Sequence, residues 1–233
     1  MGGLTFVRDS SLSSERLISH MKLYDKKEVL PIVLIVIIAV IGAYLYPQLP
    51  DLVPSYWGIN GEINGWMSRL AAIIFLPLLT LGVYLLMSFL PLMDPHKSNI
   101  ESFANWYFWF KTALVVFMGS LYLMTLYVGL GYQVNVGRYV TLGIAVLFAF
   151  LGLILPKMKK NYMIGIRLPW TLHSEIVWNR THKFGGRLFL ALAIVTAIAA
   201  FLPGAWTFGL LLGGLFLLLA ILVWYSYSEY KKL

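Results

Sequence analysis

The sequence has little charge and no cysteine. Of its 233 residues, 12% are charged and 60% are hydrophobic. A soluble domain averages about 45–50% apolar residues and about a quarter charged ones, so this chain has too little polar surface for a soluble enzyme. The lack of cysteine excludes a disulfide-stabilised secreted domain, and the apolar content excludes a disordered regulator. A multi-pass membrane protein remains.

The sequence contains several long apolar stretches with few charged residues. A helix needs about 20 apolar residues to cross a hydrocarbon core about 30 Å thick. Six stretches qualify, at about 29–46, 70–92, 106–130, 139–155, 187–203 and 205–226. Lys111 lies near one end of the third stretch, where we expect its long side chain to reach the membrane interface. The sequence therefore predicts an all-α integral membrane protein, a bundle of about six transmembrane helices, with five spans as the alternative.

The basic residues predict the orientation of these spans. Of the 18 Lys and Arg residues, all but Arg69 and Arg138 fall in segments that a six-span chain places on one side. Cytoplasmic segments carry the excess of Lys and Arg, so both termini are predicted to be cytoplasmic. The net charge of +8 is then mainly a signal of topology, and no direct binding of nucleic acid is expected.

The spans divide the chain into three parts. Residues 1–28 form an N-terminal tail that either lies on the membrane surface or is disordered. Residues 29–104 hold two helices with an outer loop, and residues 105–233 form a four-helix region with a basic inner loop at 156–187. Pairs of small residues spaced four apart predict helix packing inside the bundle; they are Gly209 and Gly213, Ala193 and Ala197, and Ala145 and Ala149.

The outer loop, about 47–69, has three prolines and three glycines, which specify a shaped loop. Asn60-Gly61 predicts a β-hairpin with a type I′ turn. Asp51 and Glu62 are candidates to bind a cation or a basic peptide. The alternative is that Asp51 caps a turn and that Glu62 is only solvated.

In the inner loop, Pro169 ends whatever precedes it, and Thr171 is predicted to cap a helix whose first turn carries Glu175. In that helix Glu175, Asn179 and His182 fall on one stripe.

Two further roles are open to inner-loop residues. Arg167 and Arg180 are candidates to hold lipid phosphates or an acidic partner. His173, Glu175 and His182 are weak candidates for a metal site, because their spacing matches no standard set of helical ligands. A structured interfacial helix, hydrogen-bonded to neighbouring loops, is the favoured interpretation, with no metal and no cofactor.

A run of residues in the inner loop resembles the signature of SdpI-type membrane immunity proteins. The residues that carry it are Asn161, Gly165, Ile166, Arg167, Pro169, Trp170, Thr171, Leu172, Glu175, Val177, Trp178, Thr181, His182, Gly185 and Gly186. The outer loop resembles the short domain of unknown function that often precedes this signature, through Leu49, Pro50, Asp51, Val53, Pro54, Trp57, Gly61, Glu62 and Gly65.

The resemblance implies a six-helix protein of the bacterial or archaeal cytoplasmic membrane that protects its cell from a secreted peptide toxin. It also implies a second partner, a cytoplasmic repressor that is held at the membrane when toxin is present. The outer motif commonly has His, Asn and Asp where this chain has Tyr56, Gly58 and Asn64. These departures argue against a metal- or proton-dependent role of the outer loop.

Three functions compete on this basis. In an immunity protein, the toxin contacts would be Asp51, Tyr56, Trp57 and Glu62, and the inner signature residues would hold the loop's fold or carry the signal. A small-solute transporter or channel is the alternative, although the spans offer few polar groups apart from Thr and Ser, with Pro77 as a helix breaker. A metal-dependent membrane enzyme is less favoured, because Cys, Gly-x-Ser-x-Gly and His-Glu-x-x-His are all missing; no catalytic residue is predicted.

Overall fold

Six long helices make up most of residues 26–233, the part of the chain that the computed structural model describes. They are α1 (Val29–Leu45), α2 (Arg69–Phe89), α3 (Ala104–Gly129), α4 (Val136–Ile154), α5 (Glu175–Ala199) and α6 (Gly204–Tyr230). With the short 3₁₀ turns that extend α1, α2 and α4, all six are long and apolar enough to cross a membrane. The prediction of an all-α, six-span membrane protein is confirmed. The predicted tail lies almost entirely outside the described residues.

Helix α5 begins earlier than the apolar stretch predicts, at Glu175 instead of near residue 187. Its first turns have a polar, exposed face with Asn179 and Arg180, and an opposite face on which Trp178 and His182 are buried. A search for continuous apolar residues misses such a helix end, because the charged face breaks the run.

A two-stranded hairpin, β1 (Leu52–Trp57) and β2 (Ile63–Ser68), joins α1 to α2. The hairpin is confirmed, but its predicted type I′ turn is wrong. The turn closes with the Gly61 N–H donating to the Gly58 carbonyl at 3.0 Å. Only Gly61 has a positive φ in residues 58–62, +87°, whereas type I′ requires it at both central residues, here Ile59 and Asn60. Residues 58–62 therefore form a longer connection, in which the left-handed glycine follows the turn.

The hairpin lies across one end of the bundle. Val53 is fully buried, and a Cβ on Gly129, at the end of α3, would lie 3.0 Å from its side chain. At the hairpin tip, a Cβ on Gly204, at the start of α6, would lie 2.1 Å from the Ile59 carbonyl oxygen. The hairpin thus extends from α3 to α6. We call residues 46–68, 130–135 and 200–203 the hairpin end of the bundle.

The opposite end, which we call the loop end, consists of residues 26–28, 90–103, 155–174 and 231–233. Two short helices lie in it, Lys97–Glu101 and Pro169–His173. Phe103, Trp178 and Leu222 belong to a buried apolar cluster at this end, while Val53 and Tyr122 belong to a second cluster under the hairpin. Each end of the bundle therefore has a core of its own.

The closest helix contact in the bundle lies between α4 and α5. A Cβ on Gly186 would lie 2.7 Å from the Gly152 carbonyl oxygen, so two backbones meet there. The predicted packing role of Gly209 and Gly213 is wrong, because a Cβ on either would have no neighbour within 4 Å. The alanine pairs fit the prediction better, since Ala145 and Ala193 are buried and Ala149 and Ala197 are half-buried.

Helix α2 continues through Pro77 without a break. The Thr80 hydroxyl donates to the Leu76 carbonyl at 2.8 Å, and the side chains of Pro77 and Thr80 are buried. The broken helix that a transport site would use is therefore not found at Pro77.

Candidate functional site

The four outer candidates lie on the hairpin or just before it, and they differ in exposure. The Asp51 carboxylate is 91% exposed and lies 3.5 Å from the Arg69 guanidinium. Tyr56 is exposed and Trp57 is half-buried. The exposed Glu62 accepts a hydrogen bond from the Asn64 amide at 3.5 Å. These four candidates therefore offer one exposed aromatic ring and two exposed carboxylates, of which Asp51 is partly neutralised.

The hairpin end also carries more exposed apolar surface than the four candidates include. Trp66 on β2 is 55% exposed, close to the 61% of Tyr56 on β1. Three aliphatic side chains of the hairpin region are exposed as well: Leu52, Ile59 and Ile63. Trp66 was not among the predicted contacts, although a tryptophan in a turn-rich loop is a signal that could have included it. Such a surface fits a membrane interface or an amphipathic partner.

At the loop end, the signature residues form a network of buried hydrogen bonds that begins with Asp94. This carboxylate is fully buried. Its two oxygens accept backbone N–H groups from His96 at 2.7 Å, Tyr162 at 2.7 Å and Met163 at 2.9 Å. Asp94 was not among the predicted residues; the signal that could have found it is a carboxylate followed by Pro95, directly after an apolar stretch.

Asn161 fixes the same turn from inside the loop. Its side-chain oxygen accepts the N–H groups of Met163 at 3.0 Å and Ile164 at 2.6 Å, and its amide donates to the Lys159 carbonyl at 2.9 Å. The Asn99 amide donates to the Lys160 carbonyl at 2.7 Å. Buried backbone groups that lie outside regular helices need such partners, and here side chains supply them.

His182 and Trp178 hold the next part of the loop against α5. The His182 Nε2 accepts the Ile166 N–H at 3.0 Å, and its Nδ1 lies 2.9 Å from the Trp178 carbonyl. The two rings stack at 4.0 Å, and the indole N–H of Trp178 donates to the Met158 carbonyl at 2.8 Å. Gly165 crosses above them with φ +122°, where a Cβ would lie 2.5 Å from the His182 Nε2. Glycine is required at this position.

The predicted cap of α5 by Thr171 is wrong. Ser174 caps α5 by accepting the Val177 N–H at 3.4 Å. The buried Thr171 hydroxyl instead accepts the Leu168 N–H and donates to the Ile166 carbonyl, both at 2.8 Å. The reason is that Pro169 begins a short helix of its own, Pro169–His173, which ends before α5 starts.

Trp170 connects this short helix to the end of α6. Its indole N–H donates to the Ser226 hydroxyl at 2.6 Å, and its ring packs on Tyr227. A second link comes from α5, where Arg180 pairs with Glu229 at 2.7 Å. Two signature residues take no part in this hydrogen-bond network. Glu175 is exposed, and the buried Thr181 hydroxyl has no hydrogen-bond partner among the described residues.

The weak metal candidates are not brought together. Residues 26–233 contain no group of three or more His, Cys, Asp or Glu side chains that could hold a metal ion. Both ring nitrogens of His182 are hydrogen-bonded to the backbone, and His173 packs edge-on against Tyr230 at 5.7 Å. Glu175 and Asn179 are exposed while His182 is buried, so the predicted stripe does not act as one face.

Lys111 is held by a carboxylate of the loop end, and its predicted reach to the membrane interface stays a prediction. It is 3% exposed, and its ammonium lies 2.9 Å from the Glu28 carboxylate and 3.1 Å from the Ser88 hydroxyl. The Tyr84 hydroxyl donates to the same carboxylate at 2.7 Å. Glu28 precedes the first apolar stretch and is 83 positions away from Lys111 in the chain, so sequence spacing could not reveal the pair.

Comparisons with known proteins show what these residues are similar to. Residues 157–227 match the model of the SdpI/YfhL protein family, and residues 33–81 match a domain of unknown function, DUF1648. Immunity protein SdpI of Bacillus subtilis (strain 168) is 26% identical over 208 residues, which cover 89% of this chain and 98% of that protein. These comparisons show similarity to the SdpI/YfhL family over residues 157–227. No solved structure matches it.

The SdpI/YfhL match includes all the signature residues from Asn161 to His182, as well as Ser226 on α6. Asp94 and Lys111 lie between the two matched segments. The loop in the second matched segment is therefore hydrogen-bonded to Asp94, a carboxylate that lies outside both matched segments.

Proposed function

We propose that this chain protects the cell that carries it against a secreted, membrane-active peptide. It would act in the cytoplasmic membrane of a prokaryote, with both termini in the cytoplasm and without catalytic chemistry. The observation that carries the proposal is the similarity to Immunity protein SdpI along 89% of the chain. The six-span bundle and the family signature agree with it.

The hairpin end is the proposed site of peptide contact. Tyr56 and Trp66 present aromatic rings, and the exposed Glu62 adds a negative charge. Together they suit a peptide that is both apolar and basic. The packing of Val53 and Gly204 holds the hairpin on the bundle, so these side chains are presented from a rigid support.

The loop end is the proposed docking face for a cytoplasmic repressor. Lys157, Lys159 and Arg167 are exposed, and no carboxylate of the described residues pairs with them. The buried hydrogen bonds of Asp94 and Asn161 keep this basic loop in one shape. An acidic surface on the partner would complement it.

The test is survival of cells that a membrane-active peptide of this toxin class kills. We expect the wild-type chain to protect and Tyr56→Ala to protect less. Tyr44→Ala is the matched control, because Tyr44 is a 74% exposed tyrosine near the same end of the bundle, on α1. Trp57→Ala extends the test to the half-buried ring beside Tyr56.

Arg167→Ala separates protection from signalling. We expect it to protect normally and to lose recruitment of the repressor to the membrane, with the exposed Arg187→Ala as control. No protection by the wild-type chain, at verified abundance in the membrane and against a panel of such peptides, would contradict the proposal.

Transport is the second candidate, and the buried pair of Lys111 and Glu28 is the observation that favours it. Ionisable groups inside a membrane bundle often mark ion pathways. Against it, Ser88 and Tyr84 complete the contacts of the pair. Proton flux into vesicles that contain the wild-type chain, abolished in Lys111→Met, would support transport; equal flux in empty vesicles would remove it.

A further inference from the structure

An apolar cavity of about 460 Å³ lies at the loop end, between the signature loop and the ends of α2, α3, α4 and α6. Leu151, Leu155 and Ile164 belong to its wall. Of the described residues that line it, only Arg167 carries a charge. Its volume is in the range of cavities that hold small ligands, and an apolar cavity of this kind is not a favourable place for water.

The wall of the cavity includes two exposed residues on the outer surface of the bundle. Leu219 and Val223 of α6 line it and are 46% and 44% exposed. Helix α6 is the least buried of the six spans, so lipid chains surround these two residues in a bilayer. A hydrocarbon chain therefore has a direct route into the cavity from the membrane.

Arg167 determines which lipid would enter. It is exposed at the cavity wall, and its guanidinium donates to the Tyr162 carbonyl at 2.6 Å, which leaves further N–H donors available. No carboxylate of the described residues pairs with it, and Lys157 and Lys159 of the same loop are also exposed and unpaired. An exposed guanidinium at the wall of an apolar cavity, with two further cations in the same loop, complements an anionic headgroup with an acyl tail.

We propose that this cavity binds one acyl chain of an anionic phospholipid, with the headgroup phosphate held by Arg167. The site lies at the end of the bundle opposite the hairpin, so it does not depend on the proposed peptide contact, but it shares Arg167 with the proposed repressor docking face. Bound lipid would fill the space between the signature loop and α6, and would stabilise the loop in its observed shape.

The test is photo-crosslinking in vesicles that contain the purified full chain. The probes are phosphatidylglycerol and phosphatidylcholine with the same photoactivatable acyl chain, and the labelled residues are mapped by mass spectrometry. We expect phosphatidylglycerol to label interior residues such as Leu151 and Ile164 more strongly than phosphatidylcholine does. This comparison uses only the wild-type chain, so no variant needs to fold for it.

Two variants with matched controls test the parts of the site. Arg167→Gln should reduce interior labelling by phosphatidylglycerol about five-fold, the factor expected for one basic residue near a membrane surface, while Arg187→Gln should not. Leu219→Trp should block the opening, whereas Leu217→Trp, 62% exposed on the same helix, should not.

Equal interior labelling by the two lipids, or labelling unchanged by Arg167→Gln, would overturn the proposal. Labelling confined to outward residues such as Leu217 would also overturn it, and would mean that the cavity is empty or holds a peptide segment. The survival test is independent of these results, so either proposal can fail alone.

Discussion

The buried polar side chains of the loop end serve mainly to satisfy the backbone. Asp94, Asn161 and His182 all accept N–H groups from the irregular segment 162–166. Unpaired backbone groups are costly beside apolar helices, where no water replaces the missing partner. This explains why a loop next to the membrane needs polar residues at fixed places, without any contact to a ligand.

Asp94→Ala should lower the stability of the chain by about 3 kcal/mol, because it removes the acceptor of three buried N–H groups. Thermal unfolding in mild detergent, followed by tryptophan fluorescence, measures the change. Asp51→Ala is the control, since that carboxylate is 91% exposed and should shift the midpoint little. Equal effects of the two variants would show that the buried carboxylate does not hold the loop.

Lys111→Ala should be strongly destabilising, by about 3 kcal/mol, because it leaves the Glu28 carboxylate without its cation inside the bundle. The double variant Lys111→Met with Glu28→Gln should recover most of this loss, since no uncompensated charge remains. The same unfolding assay measures both. A double variant no more stable than Lys111→Ala would mean that the ammonium stabilises the bundle through contacts other than the ion pair.

At the scale of the helices, the contact of α4 with α5 depends on two glycines. Gly186→Ala should destabilise the bundle by about 2 kcal/mol, because its Cβ would lie 2.7 Å from the Gly152 carbonyl oxygen and 2.6 Å from the Pro156 ring. Gly213→Ala is the matched control on a neighbouring helix, since its Cβ meets open space and alanine favours the helix. Unfolding midpoints in detergent should therefore move only for Gly186→Ala.

The sequence predicted those elements whose signal is local. The length of the apolar stretches predicted the six spans, and Asn60-Gly61 in a loop rich in proline and glycine predicted the hairpin. A helix carrying Glu175 was predicted at the start of α5, but its continuity with the fifth span was missed because burial of Trp178 and His182 on one face, and not apolar length, stabilises that end. Gly152 and Gly186 were missed because the contact of two helices depends on their relative rotation, which no single stretch encodes.

Only the local part of the candidate site could be predicted from the sequence. The family signature located the loop, but the residues that complete its network lie far away in the chain. Asp94 reaches Tyr162 across 68 positions, and Trp170 reaches Ser226 across 56. Such pairs follow from the tertiary arrangement alone, so a single sequence gives no signal for them.

At the scale of the whole molecule, α6 is in contact with both ends of the bundle, as α3 is. Gly204, at its start, packs under the hairpin tip at Ile59. Ser226 and Glu229, near its other end, bond to Trp170 of the loop end and to Arg180 near the start of α5. Peptide contact at the hairpin and partner docking at the loop would therefore both act on one continuous helix. The proposed signal would pass through α6, because a displacement of this helix at one end also changes its contacts at the other end.

The two proposed roles require that the hairpin end faces the outside of the cell and that the loop end faces the cytoplasm. The chain has no cysteine, so single cysteines report their own accessibility to a membrane-impermeant maleimide. Asn60→Cys, in the exposed hairpin turn, should be labelled in intact cells. Lys159→Cys and Leu233→Cys, both exposed at the loop end, should be labelled only after the cells are permeabilised, because the excess of Lys and Arg predicts a cytoplasmic location for that end.

The cysteine-free wild-type chain gives the background of this labelling experiment. Labelling of Lys159→Cys in intact cells would place the basic loop outside, and the hairpin could then not meet a secreted peptide. Labelling of Asn60→Cys and Leu233→Cys together would require an odd number of spans, in conflict with six membrane-crossing helices. The predicted pattern, in contrast, leaves the hairpin end as the surface that a peptide from outside meets first.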